Sequence, residues 1–156
     1  MKTNRGFSLI ELIIVIAILG IVASIASFSW QRYVNNTNLR NAAREIAADI
    51  STMKLKATTK ADTQYSLVFS LTGGQYEVQE TVDAVTTTTQ TKKLSDFGPG
   101  LSIKNLPGGV GLYTLAFLSR GTLSAPGTIT LQNSRGSESK IIFNITGKTH
   151  VTFSMQ

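Results

Sequence analysis

The sequence has 156 residues, enough for one domain and an additional segment but not for two full domains. It contains no cysteine, which excludes disulfides, thiolate metal sites and a cysteine nucleophile. Fifteen lysine and arginine residues against nine acidic residues give a net charge of +6. Because these cations are scattered along the chain, a solvated surface explains them better than a patch for nucleic acid or an anionic membrane, which stays open as the alternative.

An apolar segment near the N-terminus is long enough to cross a membrane. Residues 12–29 carry no charge, and these eighteen residues would form a helix of roughly 27 Å, close to the thickness of the hydrocarbon layer. Lys2 and Arg5 precede the segment, and the next cation after it is Arg32. The positive-inside tendency therefore predicts that the start stays in the cytoplasm while the C-terminal body crosses the membrane.

Two ordinary interpretations are open for this segment. It is either a secretory signal removed near the small residues Ser24 and Ala26, or an unprocessed membrane anchor. Neither interpretation explains Glu11, which lies in the apolar run, where an ionisable side chain is costly unless it is protonated or paired.

The residues around Glu11 form a recognisable motif. Residues 5–12 read RGFSLIEL, which resembles the class III signal of type IV pilins and of the pseudopilins of type II secretion. The small Gly6 precedes the aromatic Phe7, and the carboxylate of Glu11 follows within an uncharged stretch. The resemblance implies that a prepilin peptidase cuts between Gly6 and Phe7, that the same enzyme N-methylates Phe7, and that the apolar helix is retained.

The resemblance also implies a role for Glu11 in assembly. Cleavage would leave a cationic α-amine on Phe7 in the same apolar layer as Glu11, so that each charge is the partner that the other lacks. In the pilin family the carboxylate is thought to meet the amine of a neighbouring subunit, and methylation leaves that amine able to carry charge. We therefore expect the chain to pass from the lipid of the bacterial inner membrane into a filament of pilin or pseudopilin subunits.

A second helical pattern follows the apolar segment. Apolar residues recur at alternating spacings of four and three, which predicts one buried face of a continuing helix. These residues are Leu39, Ala43, Ile46, Ile50, Met53 and Ala57. Pilins usually carry a proline near the position of Phe28, where the helix bends, and its absence here removes the usual reason for a kink. Gly20, inside the helix, permits curvature.

Beyond residue 60 the pattern alternates and predicts a mostly antiparallel β body with glycine and proline turns. The predicted strands are residues 65–70, 75–82, 101–104, 112–118, 128–132, 140–145 and 151–153. The threonine-rich residues 86–89 are predicted to be a loop or an exposed edge. The chain is thus expected to comprise a leader (1–6), a transmembrane and filament-core helix (7–30), its amphipathic continuation (31–60) and a periplasmic β-rich domain (61–156).

This α+β arrangement, a long N-terminal helix packed on antiparallel strands, is similar to that of the GspH/FimT family of minor pseudopilins and minor pilins. The resemblance rests on residues 42–50 (AAREIAADI), on residues 115–122 (LAFLSRGT) and on a closing hairpin around Gly147. It implies a structural subunit of a type II secretion pseudopilus or of a type IV pilus. The alternative is a FimT-like minor pilin that binds DNA in natural transformation, for which residues 147–150 (GKTH) offer one firm cation, Lys148.

Residues suited to catalysis are scarce. His150 is the only histidine and lies in a strand-like run without an acid cluster nearby, so we expect it to be structural. The glycine pair Gly108-Gly109 lacks the lysine and the helix of a phosphate-binding loop. We therefore expect no enzymatic activity, no cofactor and no metal site.

Overall fold

The computed structural model describes residues 8–109 and 111–156, with the backbone alone described at residues 26–28. The predicted leader (1–6) and the predicted cleavage site at Gly6 and Phe7 lie outside the described residues. The chain divides into two compact units, Met1–Val34 and Asn35–Gln156. One helix, α1 (Leu9–Thr59), begins in the first unit and ends in the second.

The first unit is helical from Leu9 onwards. The carbonyl of Ser8 accepts hydrogen bonds from the backbone N–H groups of Glu11 and Leu12, at 3.1 and 3.2 Å, and so starts the helix. The helix continues through residue 28, where no proline removes a backbone hydrogen bond. Among the described residues, α1 is the one helix long and apolar enough to cross a membrane.

In the second unit one face of α1 is buried in the protein core. All six residues of the predicted stripe, from Leu39 to Ala57, are at most 5% exposed, which confirms the period-3.6 prediction. The helix ends at Thr59, one residue short of the predicted end. The following turn is closed by a hydrogen bond of 3.4 Å from the Thr63 N–H to the Lys60 carbonyl.

After α1, the second unit contains two four-stranded antiparallel sheets. The strands are β1 (Gln64–Ser70), β2 (Gln75–Val82), β3 (Val85–Lys93), β4 (Ser102–Asn105), β5 (Leu112–Phe117), β6 (Gly127–Gln132), β7 (Glu138–Phe143) and β8 (Thr149–Ser154). The first sheet has the order β3-β2-β1-β5, and the second has the order β4-β6-β7-β8. The predicted α+β class, a long helix packed on antiparallel sheets, is confirmed.

Strand β3 settles the choice between a loop and an exposed edge for the threonine run. It lies at the edge of the first sheet and pairs with β2 only, and all of its residues except Lys92 are exposed. The hairpin turn between the two strands places Asp83 and Ala84 at φ angles of 49° and 64°. Two positive φ angles match the twist of a two-residue hairpin, and β-branched threonines favour the extended strand that follows.

The prediction of a strand over residues 140–145 is wrong at the C-terminal end of the strand. β7 begins earlier, at Glu138, and stops at Phe143, because Asn144 opens a tight turn. The Asn144 side-chain oxygen accepts hydrogen bonds from the Thr146 hydroxyl (2.7 Å) and the Lys148 N–H (2.9 Å), and Gly147 supplies a φ of 74°. An asparagine that caps its own turn in this way ends a strand even when an apolar residue, here Ile145, follows.

One hydrophobic core joins the helix and both sheets of the second unit. Its largest fully buried side chains include Tyr65, Phe69, Tyr76, Phe117 and Phe143, which come from four different strands. Phe69 and Tyr76 stack with their ring centroids 5.3 Å apart. The core residues all lie between Leu39 and Phe143, so the second unit contains the entire core of the described chain.

Four polar side chains, which we name the Lys92 cluster, tie α1 to the first sheet. The Lys92 ammonium donates to Glu45 Oε1 at 2.7 Å and to the two Asp49 oxygens at 2.9 and 2.8 Å. The Tyr76 hydroxyl donates to Asp49 Oδ2 at 2.6 Å. Burial lowers the pKa of Lys92, but the hydrogen bonds to Asp49 and Glu45 outweigh it and raise that pKa above 10.5. Burial, reinforced by the Asp49 carboxylate, raises the pKa of Tyr76 far above its usual range.

Candidate assembly site on the N-terminal helix

Glu11 lies in the first turn of α1, as the third helical residue. The preceding Ser8 and the carboxylate are spaced as Ser-x-x-Glu, the spacing of a helix-capping box. A carboxylate at this position also faces the positive end of the helix dipole, which stabilises it by about 0.3–1 kcal/mol. Its position in the first turn therefore suits Glu11 to a second physical role, at the start of the helix, that the apolar pattern alone did not indicate.

Gly6 and Phe7 lie outside the described residues. Cleavage between them, methylation of Phe7 and the pairing of its amine with Glu11 therefore stay predictions.

The surface around Glu11 is almost wholly apolar. Residues 9–25, which we name the apolar surface, are exposed throughout, and Leu9 and Ile10 expose 76% and 67% of their area. Soluble monomers rarely expose contiguous apolar area on this scale, because its transfer out of water is strongly favourable. The only polar side chain between Glu11 and residue 25 is Ser24, whose hydroxyl donates to the Ile21 carbonyl at 2.7 Å. The apolar surface is therefore suited to lipid or to the helices of other subunits.

Gly20 leaves open space beside the helix. A β-carbon built there would meet nothing within 4 Å of the described chain. Packing against the described residues thus does not require a glycine at this position.

A group of cations lies at the turns that follow β5 and β7. The Lys54 ammonium donates to the Thr146 carbonyl at 2.8 Å. Its side chain passes so close to Gly147 that a β-carbon there would lie 2.7 Å from Lys54 Cδ, and one on Gly121 would lie 3.7 Å from Cε. The two glycines are flanked in sequence by the exposed residues Arg120 and Lys148. The fold thus adds Lys54 and Arg120 to the single cation that the sequence indicated here.

His150 lies in β8, opposite Ile142 of β7, and is exposed. Within residues 8–109 and 111–156, no three His, Cys, Asp or Glu side chains are grouped so that they could hold a metal ion.

Known proteins share the N-terminal motif of this chain. The family model of the prokaryotic N-terminal methylation motif matches residues 1–27. A fimbrial protein of Pseudomonas aeruginosa is 39% identical over 45% of this chain and 51% of its own length. A type IV major alpha-pilin of Moraxella bovis is 46% identical over 31% of this chain and 30% of its own length. The chain thus spans about half, or less, of the length of these relatives.

Solved structures resemble the chain over a greater length. The minor pseudopilin EpsH from the type 2 secretion system of Vibrio cholerae matches 74% of this chain and 97% of its own, with a TM-score of 0.61 and 13% identity. The type IV minor pilin FimU of P. aeruginosa matches 77% of this chain and 92% of its own, with a TM-score of 0.57 and 14% identity. At this level of identity the likeness shows the fold. The chain therefore carries the N-terminal methylation motif of prepilins over residues 1–27, and its fold is similar to those of the minor pseudopilin EpsH and the minor pilin FimU.

Proposed function

We propose that this chain is a structural subunit of a pilin-type filament, either a type II secretion pseudopilus or a type IV pilus, and that α1 is its assembly element. The observation that carries the proposal is the single carboxylate, Glu11, within an otherwise uncharged and fully exposed apolar surface. A helix of this kind needs an apolar environment, and the carboxylate needs a cation inside that environment. The processed N-terminus of another subunit meets both needs.

The proposed sequence of events begins in the bacterial inner membrane. Prepilin peptidase cuts between Gly6 and Phe7 and methylates Phe7, and the body from Asn35 onwards lies in the periplasm. The chain then leaves the lipid, and its apolar surface packs against neighbouring helices. A buried pair between Glu11 and a neighbour's amine favours the correct axial position, because losing one member of such a pair costs about 3–5 kcal/mol.

Substitutions at Glu11 test this role. Glu11→Val should insert into the membrane at least as well as the wild type and should still be cleaved, because Gly6 and Phe7 are unchanged. It should fail to enter the filament, which crosslinking to the major subunit would measure. Ile14→Val, a change one helical turn away that keeps the surface apolar, is the matched control and should be incorporated normally.

Glu11→Gln separates the assembly role from the capping role. Glutamine retains the hydrogen bonding of a capping box but carries no charge. If charge pairing drives incorporation, Glu11→Gln should fail as Glu11→Val does. Normal incorporation of Glu11→Gln would instead assign Glu11 to the helix start and contradict the proposed pair.

Processing has its own test. Coexpression with a prepilin peptidase should yield a protein that starts at methylated Phe7, as read from its intact mass. Gly6→Val should block the cut, because a branched side chain crowds the scissile bond. A mature start near Ser27 would reveal a conventional signal peptide and would contradict the filament proposal.

The neighbouring genes distinguish the two kinds of filament. Genes for a secretin, an assembly ATPase and further prepilins would accompany either use, so the discriminating observation is whether they belong to a secretion operon or a pilus operon. The fold is compatible with both, since EpsH comes from a secretion system and FimU is a pilus component.

A second candidate function is FimT-like DNA binding, and the cation group around Lys54 favours it. Lys54, Arg120 and Lys148 would supply phosphate contacts, which are independent of sequence and weaken with salt. The fragment starting at Asn35 should then bind duplex DNA weakly. Lys148→Gln should lower the slope of log affinity against log salt by about one, whereas Lys93→Gln, an exposed lysine on β3, should not.

An unchanged slope in Lys148→Gln would contradict this second function. Binding by the wild type that survives physiological salt would instead place DNA binding ahead of a purely structural role.

A further inference from the structure

Two exposed aromatic residues follow the apolar segment of α1. Trp30 and Tyr33 expose 69% and 65% of their area, and their ring centroids lie 6.2 Å apart. A spacing of three residues places both rings on the same side of the helix. We name Trp30 and Tyr33 the aromatic pair. Arg32 lies between them, and the polar residues 35–38 follow.

The chemistry of the aromatic pair fits a boundary between lipid and water. Each ring offers a large apolar body and one polar group, the indole N–H or the phenol O–H. Deep in hydrocarbon these polar groups would lack hydrogen-bond partners, whereas in bulk water the rings would leave their apolar area exposed. Tryptophan and tyrosine are enriched at the headgroup level of membranes for this reason. The position of the pair, directly after the uncharged residues 12–29, is where that level is expected.

The distance from the aromatic pair to Glu11 matches the thickness of a bilayer. Trp30 lies nineteen positions after Glu11, which is about 28 Å along an α-helix. The hydrocarbon layer is about 30 Å thick. When Trp30 lies at one boundary, Glu11 therefore lies at the opposite one, within reach of water and headgroups. A carboxylate there avoids most of the penalty that it would meet at the centre of the bilayer.

We propose that the aromatic pair binds the phospholipid headgroup layer on the side of the C-terminal body and thereby fixes the depth of α1, so that Glu11 waits at the opposite boundary before assembly. This inference rests on the membrane location in the proposed function, but not on incorporation into a filament. Its consequence is that Glu11 leaves a solvated position when it enters a filament. The aromatic pair is a positioning element, and its partner is lipid.

The sole tryptophan makes the depth measurable in the full chain. The protein is reconstituted in phosphatidylcholine–phosphatidylglycerol vesicles that carry bromine either near the headgroups or near the ends of the acyl chains. Trp30 fluorescence should be quenched about twofold or more by the shallow bromines relative to the deep ones. The variant Trp30→Phe/Ile18→Trp moves the indole to mid-membrane and should reverse that order.

Two failures of this experiment are distinguishable. Stronger quenching of Trp30 by deep bromines would overturn the headgroup contact while leaving the membrane location intact. Quenching by aqueous iodide with no effect of either brominated lipid would overturn the membrane location itself, and with it this part of the proposed function.

A second measurement tests whether the aromatic pair fixes the depth. Because the chain has no cysteine, Leu12→Cys provides a unique thiol beside Glu11. In inverted membrane vesicles, a membrane-impermeant maleimide should label it several-fold faster after Trp30→Ala/Tyr33→Ala, because Glu11 then draws the helix towards water without opposition. Leu19→Ala/Val22→Ala, an apolar pair with the same spacing, is the control and should leave the rate unchanged. An unchanged or slower rate after loss of the aromatic pair would overturn the proposal.

Discussion

Replacing Lys92 by methionine should destabilise the second unit by about 2–3 kcal/mol. Methionine keeps the apolar stem of the lysine but removes three charge-assisted hydrogen bonds. The side chains of Lys92 and Asp49 are only 17% and 14% exposed, so Asp49 would be left largely buried without a cation. A fully buried pair would cost about 3–5 kcal/mol, and the bond that Asp49 retains from Tyr76 reduces the loss. Glu45, with 45% of its side chain exposed, adds at most about 1 kcal/mol.

The assay is urea denaturation of the fragment that starts at Asn35, which contains the whole core. The neighbouring Lys93→Met is the matched control. Lys93 is exposed on the same strand, so its substitution should change the free energy of unfolding by no more than about 0.5 kcal/mol. Lys92→Met/Asp49→Asn should be less destabilised than the sum of the single variants by about 1–2 kcal/mol, because the neutral amide no longer needs the cation.

Equal effects of Lys92→Met and Lys93→Met would refute the reasoning. The Lys92 cluster would then be an ion pair without net stabilisation, and the helix would be held to the first sheet by apolar packing alone. Strict additivity in the double variant would similarly show that Asp49 does not depend on Lys92.

Two further predictions concern the second unit. The pKa values of Tyr76 and Lys92 are raised from ordinary values of 10.0 and 10.5, so the folded chain keeps protons that the unfolded chain releases. The free energy of unfolding should therefore be constant below about pH 10 and should fall as the pH rises further. In urea titrations at several pH values, the variant Tyr76→Phe/Lys92→Met should show a smaller fall than the wild type. Gly127→Ala should destabilise the second unit by about 1–3 kcal/mol in thermal unfolding, because a β-carbon would lie 2.6 Å from the Pro107 ring and 3.0 Å from Phe143. If the variant instead has the melting temperature of the wild type, the start of β6 can shift to accommodate the methyl group.

Local patterns were sufficient to predict the helix and most strands. The stripe from Leu39 to Ala57 repeats over five turns, so a few exceptions could not obscure its period. The limits of β2 were also predicted correctly, because a glycine pair precedes it and alternating residues fill it. The end of β7 was missed because the Asn144 side chain, not the apolar pattern, decides where that strand stops.

Contacts between residues far apart in sequence could not be predicted from local patterns. Lys92 and Asp49 are separated by 43 positions, and nothing near either residue identifies the other as its partner. The bond of 3.0 Å from the Asn133 amide to Asn36 joins residues 97 positions apart. Likewise, the fold alone brings the Lys54 side chain close to the turns at Gly121 and Gly147. The motif at Gly6, Phe7 and Glu11 was visible because its residues lie close together in the sequence.

The threonine-rich edge strand β3 has a consequence for how the protein behaves at high concentration. Its nine residues leave one line of backbone N–H and C=O groups unpaired, and such an edge is a template for aggregation. Four consecutive threonines, residues 86–89, supply the β-branching that keeps the strand extended, yet their hydroxyls make its faces poor surfaces for dry, interdigitated stacking. Valine has nearly the same shape as threonine and would preserve the strand while turning this edge into a nucleus for fibrils. We therefore expect the hydroxyls of β3 to lower the tendency of this edge to aggregate.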